Sequence, residues 1–258
     1  MSSLQFIRSS LLDVDGVAHG FTTRPGGVSE GPYDSLNLTR SRGDAAEHVS
    51  ENRRRVRTAL GVDHLVFATQ VHGNNVLRID AAAKGEQPAG EGDALMTDQP
   101  GLGLACQTAD CTPILLFDPS NRAIAAIHSG WRSTVLNVIG QTVNAMAIAF
   151  GTTPASLIAA IGPSISAKNY RVGSEVADQF ERQFSEVTGP RDSTGGVQLD
   201  VGAACHQQLL DAGVADTKIT RSPICTYDAE STLFSARRAH HQGQSGVFGG
   251  QAGIIALL

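Results

Sequence analysis

Three short apolar runs followed by one long amphipathic stretch constrain the fold of this chain more than any other feature. Residues 103–106, 114–117 and 123–127 each have strand length, and 133–150 places Val135, Val138, Ile139, Val143, Met146 and Phe150 at helical spacing. Ser133 or Thr134 can cap that helix, and Gly151 can end it. Residues 157–161 read as a buried strand running into Gly162 and Pro163, and 65–70 as another strand. Further helices are expected over 45–60, closed by Gly61, over 174–184, and over 201–212, closed by Gly213. Strands and helices alternate without a strict βαβ rhythm. The pattern therefore predicts a mixed α/β (α+β) architecture instead of a doubly wound parallel sheet.

Nothing in the chain divides this pattern in two. No internal repeat and no Pro- or Ser-rich linker interrupts it, and the hydrophilic, breaker-rich stretches 84–92 and 188–196 read as surface loops. A length of 258 residues then fits one domain over 1–258 with a sizeable core. Hydrophobic residues at 41% and charged residues at 17% exclude a disordered chain. A formal net charge of −5 without a long basic run argues against nucleic-acid binding through phosphates. The first residues lack the apolar run of a signal peptide, and no stretch is long and apolar enough for a membrane span. Four cysteines, Cys106, Cys111, Cys205 and Cys225, are too few for a disulfide scaffold. Together these features predict a cytoplasmic, reducing setting in which a free thiolate persists.

Three residues suited to a borderline-soft metal sit in tight, breaker-flanked motifs. They are His72 in Gln-Val-His-Gly (70–73), Cys111 in Thr-Ala-Asp-Cys-Thr-Pro (108–113) and His128 in His-Ser-Gly-Trp-Arg (128–132). Two imidazoles and one thiolate make a three-ligand set for zinc, which leaves a position open for water or substrate. His128 ends an apolar strand ahead of a helix, a common place for a catalytic group. Pro113 biases Thr112 away from helix, so Cys111 is expected in an extended turn, and Gly73 is expected to relieve crowding beside His72. Singly, each residue is more often structural; a buried cysteine is usually a small hydrophobe. The case rests on all three occurring in such loops.

Other side chains gather around this set in the sequence reading. Arg24, in the Gly-rich loop 22–29, and Arg132, just ahead of a helix start, can hold an anion. That loop lacks the Gly-Lys-Ser/Thr ending of a P-loop, and no GxGxxG follows a strand. Asp93 and Asp110 adjoin apolar strands, where each can orient a ligand histidine, shuttle protons or make turn hydrogen bonds. Trp131 reads as core or pocket wall, and the late cluster Arg237, Arg238, His240, His241 as a solvated face or a pocket rim.

At these residues the chain resembles the laccase-domain family, whose members are called multicopper polyphenol oxidases, purine nucleoside phosphorylases or peptidoglycan editing factors. The resemblance runs along almost the whole chain. It begins with Phe-Thr-Thr-Arg-Pro-Gly-Gly-Val-Ser (21–29), Gly-Pro-Tyr-Asp-Ser-Leu-Asn-Leu (31–38) and Glu-Asn-Arg (51–53), and takes in the three motifs above and Asp-Ala-Leu-Met-Thr (93–97). It closes with Gly-Pro-Ser-Ile (162–165), Cys-Thr-Tyr (225–227) and Phe-Ser-Ala-Arg-Arg (234–238). It implies a compact α/β/β/α layered domain and a metal triad at His72, Cys111 and His128. It also implies zinc-dependent phosphorolysis of adenosine, inosine and methylthioadenosine, with deamination of adenosine. Nucleoside and phosphate are then the partners, and Arg24, Asn37, Asp93 and Arg132 the candidate substrate-binding residues. The chain departs from the family pattern at Ser129 and Ser133, at Arg171 where the family carries an acid, and across 244–250.

Donor counting separates two of these labels. A multicopper oxidase needs many imidazoles, largely paired as His-x-His, for a trinuclear cluster and a blue-copper site. Eight histidines with no His-x-His cannot supply them, although a single copper at the triad is chemically allowed. A zinc held there can activate water for attack on C6 of adenine, with Asp93 or Asp110 moving protons. Phosphate, steadied by Arg24 or Arg132, would attack C1′ of the ribose. Two other readings compete. One is a metal-free cysteine hydrolase acting on an amide such as a cell-wall precursor, with Cys111 as nucleophile and His128 or His72 as base. The other is a partner-binding protein with a vestigial pocket.

Overall fold

The computed structural model describes residues 4–81 and 88–258. Two mixed sheets carry the architecture. The first has the order β1 (Phe6–Ile7), β2 (Val17–Thr22), β13 (Gln251–Leu257), β6 (Leu102–Thr108), β3 (His64–Phe67). The second runs β12 (Ile219–Arg221), β9 (Ile158–Ile161), β7 (Thr112–Asp118), β8 (Ala123–Ser129), β5 (Ala94–Thr97), β4 (Val76–Arg78). A small antiparallel pair joins β10 (Arg171–Val172) to β11 (Val197–Gln198). Pairings β3–β6, β4–β5 and β9–β12 are parallel, and the other pairs in the two large sheets are antiparallel.

Alternation of side chains along the strands fixes the layers. Leu104 and Cys106 of β6, Ile255 and Leu257 of β13, Leu115 and Phe117 of β7, and Ile124 and Ala126 of β8 meet between the sheets. From the opposite face of the first sheet, Ala105, Ile254 and Ala256 pack on Val56 and Leu60 of α1 (Ala46–Leu60). From the opposite face of the second, Ile114, Leu116, Ala125 and Ile127 pack against α3 (Val138–Phe150), α4 (Ser174–Glu181) and α5 (Val201–Asp211). The result is the expected α/β/β/α stack. Strands buried on both faces read as continuous apolar runs, which is why 103–106, 114–117 and 123–127 were legible as strands.

The structure corrects the expected helix over 133–150. The segment forms α2 (Trp131–Val135) and then α3, separated at Asn137, whose backbone is left-handed at φ 57. Asn137, not Ser133 or Thr134, caps α3 by accepting from the Gly140 amide. A Cβ at Gly140 would lie 2.5 Å from the Asn137 amide group, so the cap requires glycine there. Gly61 and Gly151 end α1 and α3 in left-handed conformations, as expected. The C-terminal helix α6 (Ala236–His241) carries the late basic cluster. Part of the loop expected over 84–92 lies outside the described residues; its end is paired, with the Ala89 amide donating to Phe67 and the Gly92 amide to Thr69. Among the described residues no helix is long and apolar enough to cross a membrane.

Leu115 is wholly buried between the sheets. Leu115→Ala is expected to lower the unfolding free energy by about 2–5 kcal/mol, read from urea denaturation, through the cavity it leaves.

Candidate metal and catalytic site

Sheet register assembles the site. In the second sheet Thr112 of β7 lies opposite Ser129 of β8, Pro113 opposite His128, and Ala94 of β5 opposite Ile127. Cys111, just before β7, His128, near the end of β8, and Asp93, just before β5, therefore share one sheet end. The His128 amide also donates to the Asp93 carbonyl at 2.7 Å. His72 arrives from the other sheet, in the loop after β3. Its donor atom, the Cys111 sulfur and a His128 ring nitrogen all lie within 4.8 Å of one another. The Sγ of Cys111 is 3.9 Å from Nε2 of His72, and the two imidazoles meet edge to face with centroids 4.8 Å apart.

Asp93 holds both histidines. Its carboxylate is fully buried and accepts from three successive amides, Val71 (3.2 Å), His72 (3.0 Å) and Gly73 (2.6 Å). It also binds Nδ1 of His128 at 2.7 Å, which leaves Nε2 of that ring as the ligating nitrogen. Burial opposes the charge on Asp93, but the His128 contact and the amides outweigh it and hold the carboxyl below its ordinary range. The three amides fold the loop so that His72 takes a left-handed φ of 59. The expected crowding relief at Gly73 is absent: a Cβ there would meet its nearest neighbours at 3.5 and 3.6 Å, ordinary contact distances. Gly73 contributes its amide instead.

Space is scarce at Gly130. A Cβ on it would lie 2.8 Å from Cδ2 of His72 and 3.1 Å from the Cys111 sulfur, so a side chain there would displace two donors. Burial alone would push the Cys111 thiol up, but His128 and His72 beside it bring it below its ordinary value. Burial would likewise lower His128, yet the facing thiolate and Asp93 raise it. The metal-free site thus favours a thiolate–imidazolium pair. Two imidazoles and a thiolate with converging donors, one ring fixed by a carboxylate, fit a single borderline-soft ion.

The triad opens on a cavity of about 310 Å³. Its lining includes Arg40, Arg42, Arg53, Gln70, Gln107 and Thr108, with no carboxylate among the described residues. Sequence reasoning missed these side chains. Arg53 carried a signal: Val49, Arg53, Val56 and Leu60 recur at core spacing on α1, and all four are buried.

The structure brings His72, Cys111, His128 and Asp93 together but not the remaining candidates. Arg24 lines a separate open depression with Asp34, Asp228 and Glu230, and donates to the carbonyls of Asp34 and Glu230. Asn37 is wholly buried and saturated: it donates to Thr39 O and Asp44 and accepts from the Thr39 and Gly250 amides. Arg132 is exposed, with its guanidinium 4.4 Å from the Trp131 ring, and does not line the cavity. Asp110, at φ 96, binds Thr226 Oγ1 and the Arg237 amide, so it makes turn hydrogen bonds that tie the crossover from β6 to β7 to the C-terminal segment. Arg171 pairs with Asp192 on the surface.

Fold and site define a layered α/β protein with a His-Cys-His site that fits a metal. The chain belongs to the family described as multi-copper polyphenol oxidoreductase laccase, whose model matches residues 18–258. It is 42% identical over 233 residues to a Deinococcus radiodurans protein named purine nucleoside phosphorylase, covering 89% of this chain and 86% of that one. A Bacteroides thetaiotaomicron protein of the same name is 38% identical over 240 residues, covering 89% of each. The crystal structure of YlmD from Geobacillus stearothermophilus superposes with a TM-score of 0.86 at 31% identity, covering 98% of this chain and 96% of that one.

Two substitutions test the geometry. Asp93→Asn is expected to weaken metal binding by about 10- to 100-fold in competition with a chromogenic chelator. Gly130→Ala is expected to weaken it by at least as much, because its added methyl displaces two donors at once. Metal affinity like that of the unsubstituted chain in both would show that neither residue shapes the site.

Proposed function

We propose that this chain is a zinc-dependent purine nucleoside enzyme. It cleaves adenosine, inosine and methylthioadenosine with phosphate, and deaminates adenosine. The observation that carries this reading is the convergence of His72, Cys111 and His128 on a cavity rich in arginine and amide side chains. The relatives named purine nucleoside phosphorylase support it. His72 and His128 would hold zinc through neutral imidazoles and Cys111 as thiolate, and zinc so held supplies Lewis acidity next to the cavity.

In phosphorolysis a phosphate oxygen forms a bond to C1′ of the ribose as the C1′–N9 bond breaks. The electron pair leaves with the purine, which gains a proton, and ribose 1-phosphate is the other product. In deamination the oxygen of water replaces the amino group at C6, ammonia departs and inosine forms. Asp93 stands behind His128 with both oxygens engaged, so its part is to fix the ring and keep the Nδ1 proton in place. The four cysteines are free, which accords with a reducing cytoplasmic setting.

One observation favours a second reading. Asp93, His128 and Cys111 are arranged as carboxylate, imidazole and thiolate, the order a cysteine hydrolase uses. Chelation separates the two. Purified protein is expected to carry about one zinc per chain by elemental analysis. Metal removal is expected to abolish release of hypoxanthine from inosine, and added zinc to restore it. Cys111→Ala is expected to lose both metal and turnover. Amide hydrolysis that survives chelation but not thiol alkylation, with no release of hypoxanthine, would instead identify the hydrolase, and copper in place of zinc would overturn the metal assignment.

A further inference from the structure

The cavity beside the triad concentrates arginines on its wall. Arg40, Arg42 and Arg53 line it, while its described lining contains no Asp or Glu. Arg42 is poorly satisfied. Its guanidinium carbon sits 3.9 Å from the centroid of the Phe248 ring. Its Nε is buried without a partner, and no side-chain N–H of Arg42 donates to a described protein acceptor. Burial works against its charge, while Cys111 and Asp110 are near enough to act in its favour. Arg53 is buried over the Phe67 ring at 3.7 Å and gives Nε and Nη2 to one neutral carbonyl, that of Leu38. Among the described residues neither makes an ion pair with a carboxylate. On the same wall the hydroxyl of Thr108 is buried without a partner.

Buried cationic donors without acceptors are costly, and natural proteins keep them where a ligand supplies the acceptor. A guanidinium presents paired N–H groups that match the oxygens of phosphate, and no carboxylate in the described lining competes for those of Arg42. The two arginines raised for this task on sequence grounds are placed elsewhere. Arg24 donates to backbone carbonyls in another depression, and Arg132 lies over Trp131 outside the cavity.

We infer that Arg42 and Arg53, with Arg40 beside them, form the subsite for the free phosphate dianion that phosphorolysis consumes, an inference that rests on the proposed activity. The phosphate is held between the guanidinium groups and the metal site, with its oxygens on the Arg42 N–H groups. Arg53 is the fixed wall, since its stacking on Phe67 and its bonds to Leu38 lock it. Arg42 is the residue that answers to the anion.

The test uses the zinc-loaded full chain and inorganic phosphate. Calorimetric titration is run on the unsubstituted chain, on Arg42→Gln, on Arg42→Lys, on Arg132→Gln and on Arg54→Gln, a surface control that pairs with Glu51. Arg42→Gln is expected to weaken phosphate binding by about 10- to 100-fold, as loss of charge-assisted hydrogen bonds does. Arg42→Lys should recover part of the loss, and Arg54→Gln should leave binding unchanged. In steady-state assays Arg42→Gln should raise KM for phosphate by a similar factor while KM for inosine moves far less. A parallel titration with adenosine 5′-monophosphate distinguishes free phosphate from a phosphate ester. Absence of phosphate binding to the unsubstituted chain would overturn the subsite, as would loss in Arg132→Gln but not Arg42→Gln, or Arg42-dependent binding of the nucleotide alone. If phosphate binds through Arg42 but inosine is not cleaved, the subsite stands and the proposed activity falls.

Discussion

The carboxylate of Asp93 is the interaction on which the site depends. It is a buried charge, and a buried charge persists only when its lone pairs are filled. Here they are filled by three amides of one loop and one ring nitrogen of a strand. The same four bonds that keep Asp93 ionised fix the path of residues 71–73 and the orientation of His128. The solvation of one acid and the placement of two metal ligands are therefore a single event. Hydrogen bonds to an ionised acceptor are stronger than neutral ones, and the burial that makes Asp93 costly also strengthens them. Loss of the carboxylate would strand donors on both sides at once.

Around that group the two sheets supply different parts. His72 comes from the loop that follows β3 in the first sheet, whereas Cys111 and His128 belong to adjacent strands of the second. Asp93 stands at the start of β5 in the second sheet and accepts from the loop of the first. A metal at the triad would thus link the two layers at one end of the stack. The β6–β7 crossover, which delivers Cys111, is anchored independently: Asp110 ties it to Thr226 and Arg237, and its carbonyl accepts from Ile165. Each donor is fixed by its own local device, and Gly130 provides the gap into which two of them fit.

How far the chain can be read without coordinates follows from which forces are local. The strands at 103–106, 114–117 and 123–127 were legible because burial on both faces leaves no polar residue to break the run. The three donors were legible because each sits among breakers. The partition of Asp93 and Asp110 was not, because both adjoin strands and only tertiary register decides which faces a histidine. β13, a central strand of the first sheet, was hidden behind the glycines of 246–250. The break at Asn137 was missed because an asparagine within an apolar periodic stretch reads as a solvent-facing position until its left-handed backbone is seen. Asn37 and Arg24 drew attention as polar residues in conspicuous motifs, yet their hydrogen bonds are spent on backbone far along the chain, which no local pattern encodes. Arg53 stood at a core position of α1 while its neighbours Arg54 and Arg55 pair with Glu51 outside.

The family's oxidase label and the proposed nucleoside chemistry ask different things of this cavity. An electron-transfer cluster asks for many imidazoles, and among the described residues one group of three donors can hold a metal. A phenol asks for an apolar, near-neutral slot. An oxyanion asks for positive charge at short range, and the described lining of the cavity has three arginines and no acid, beside a site whose single thiolate would not balance a divalent ion. Low-dielectric walls such as Phe67, Ala68 and Ala109 make such a field act strongly within the cavity and weakly outside it. The net charge of the chain is negative, so this concentration of positive charge is a local arrangement and not a property of the surface at large. Charge of one sign, drawn to one pocket against the overall balance of the molecule, favours a substrate of the other sign.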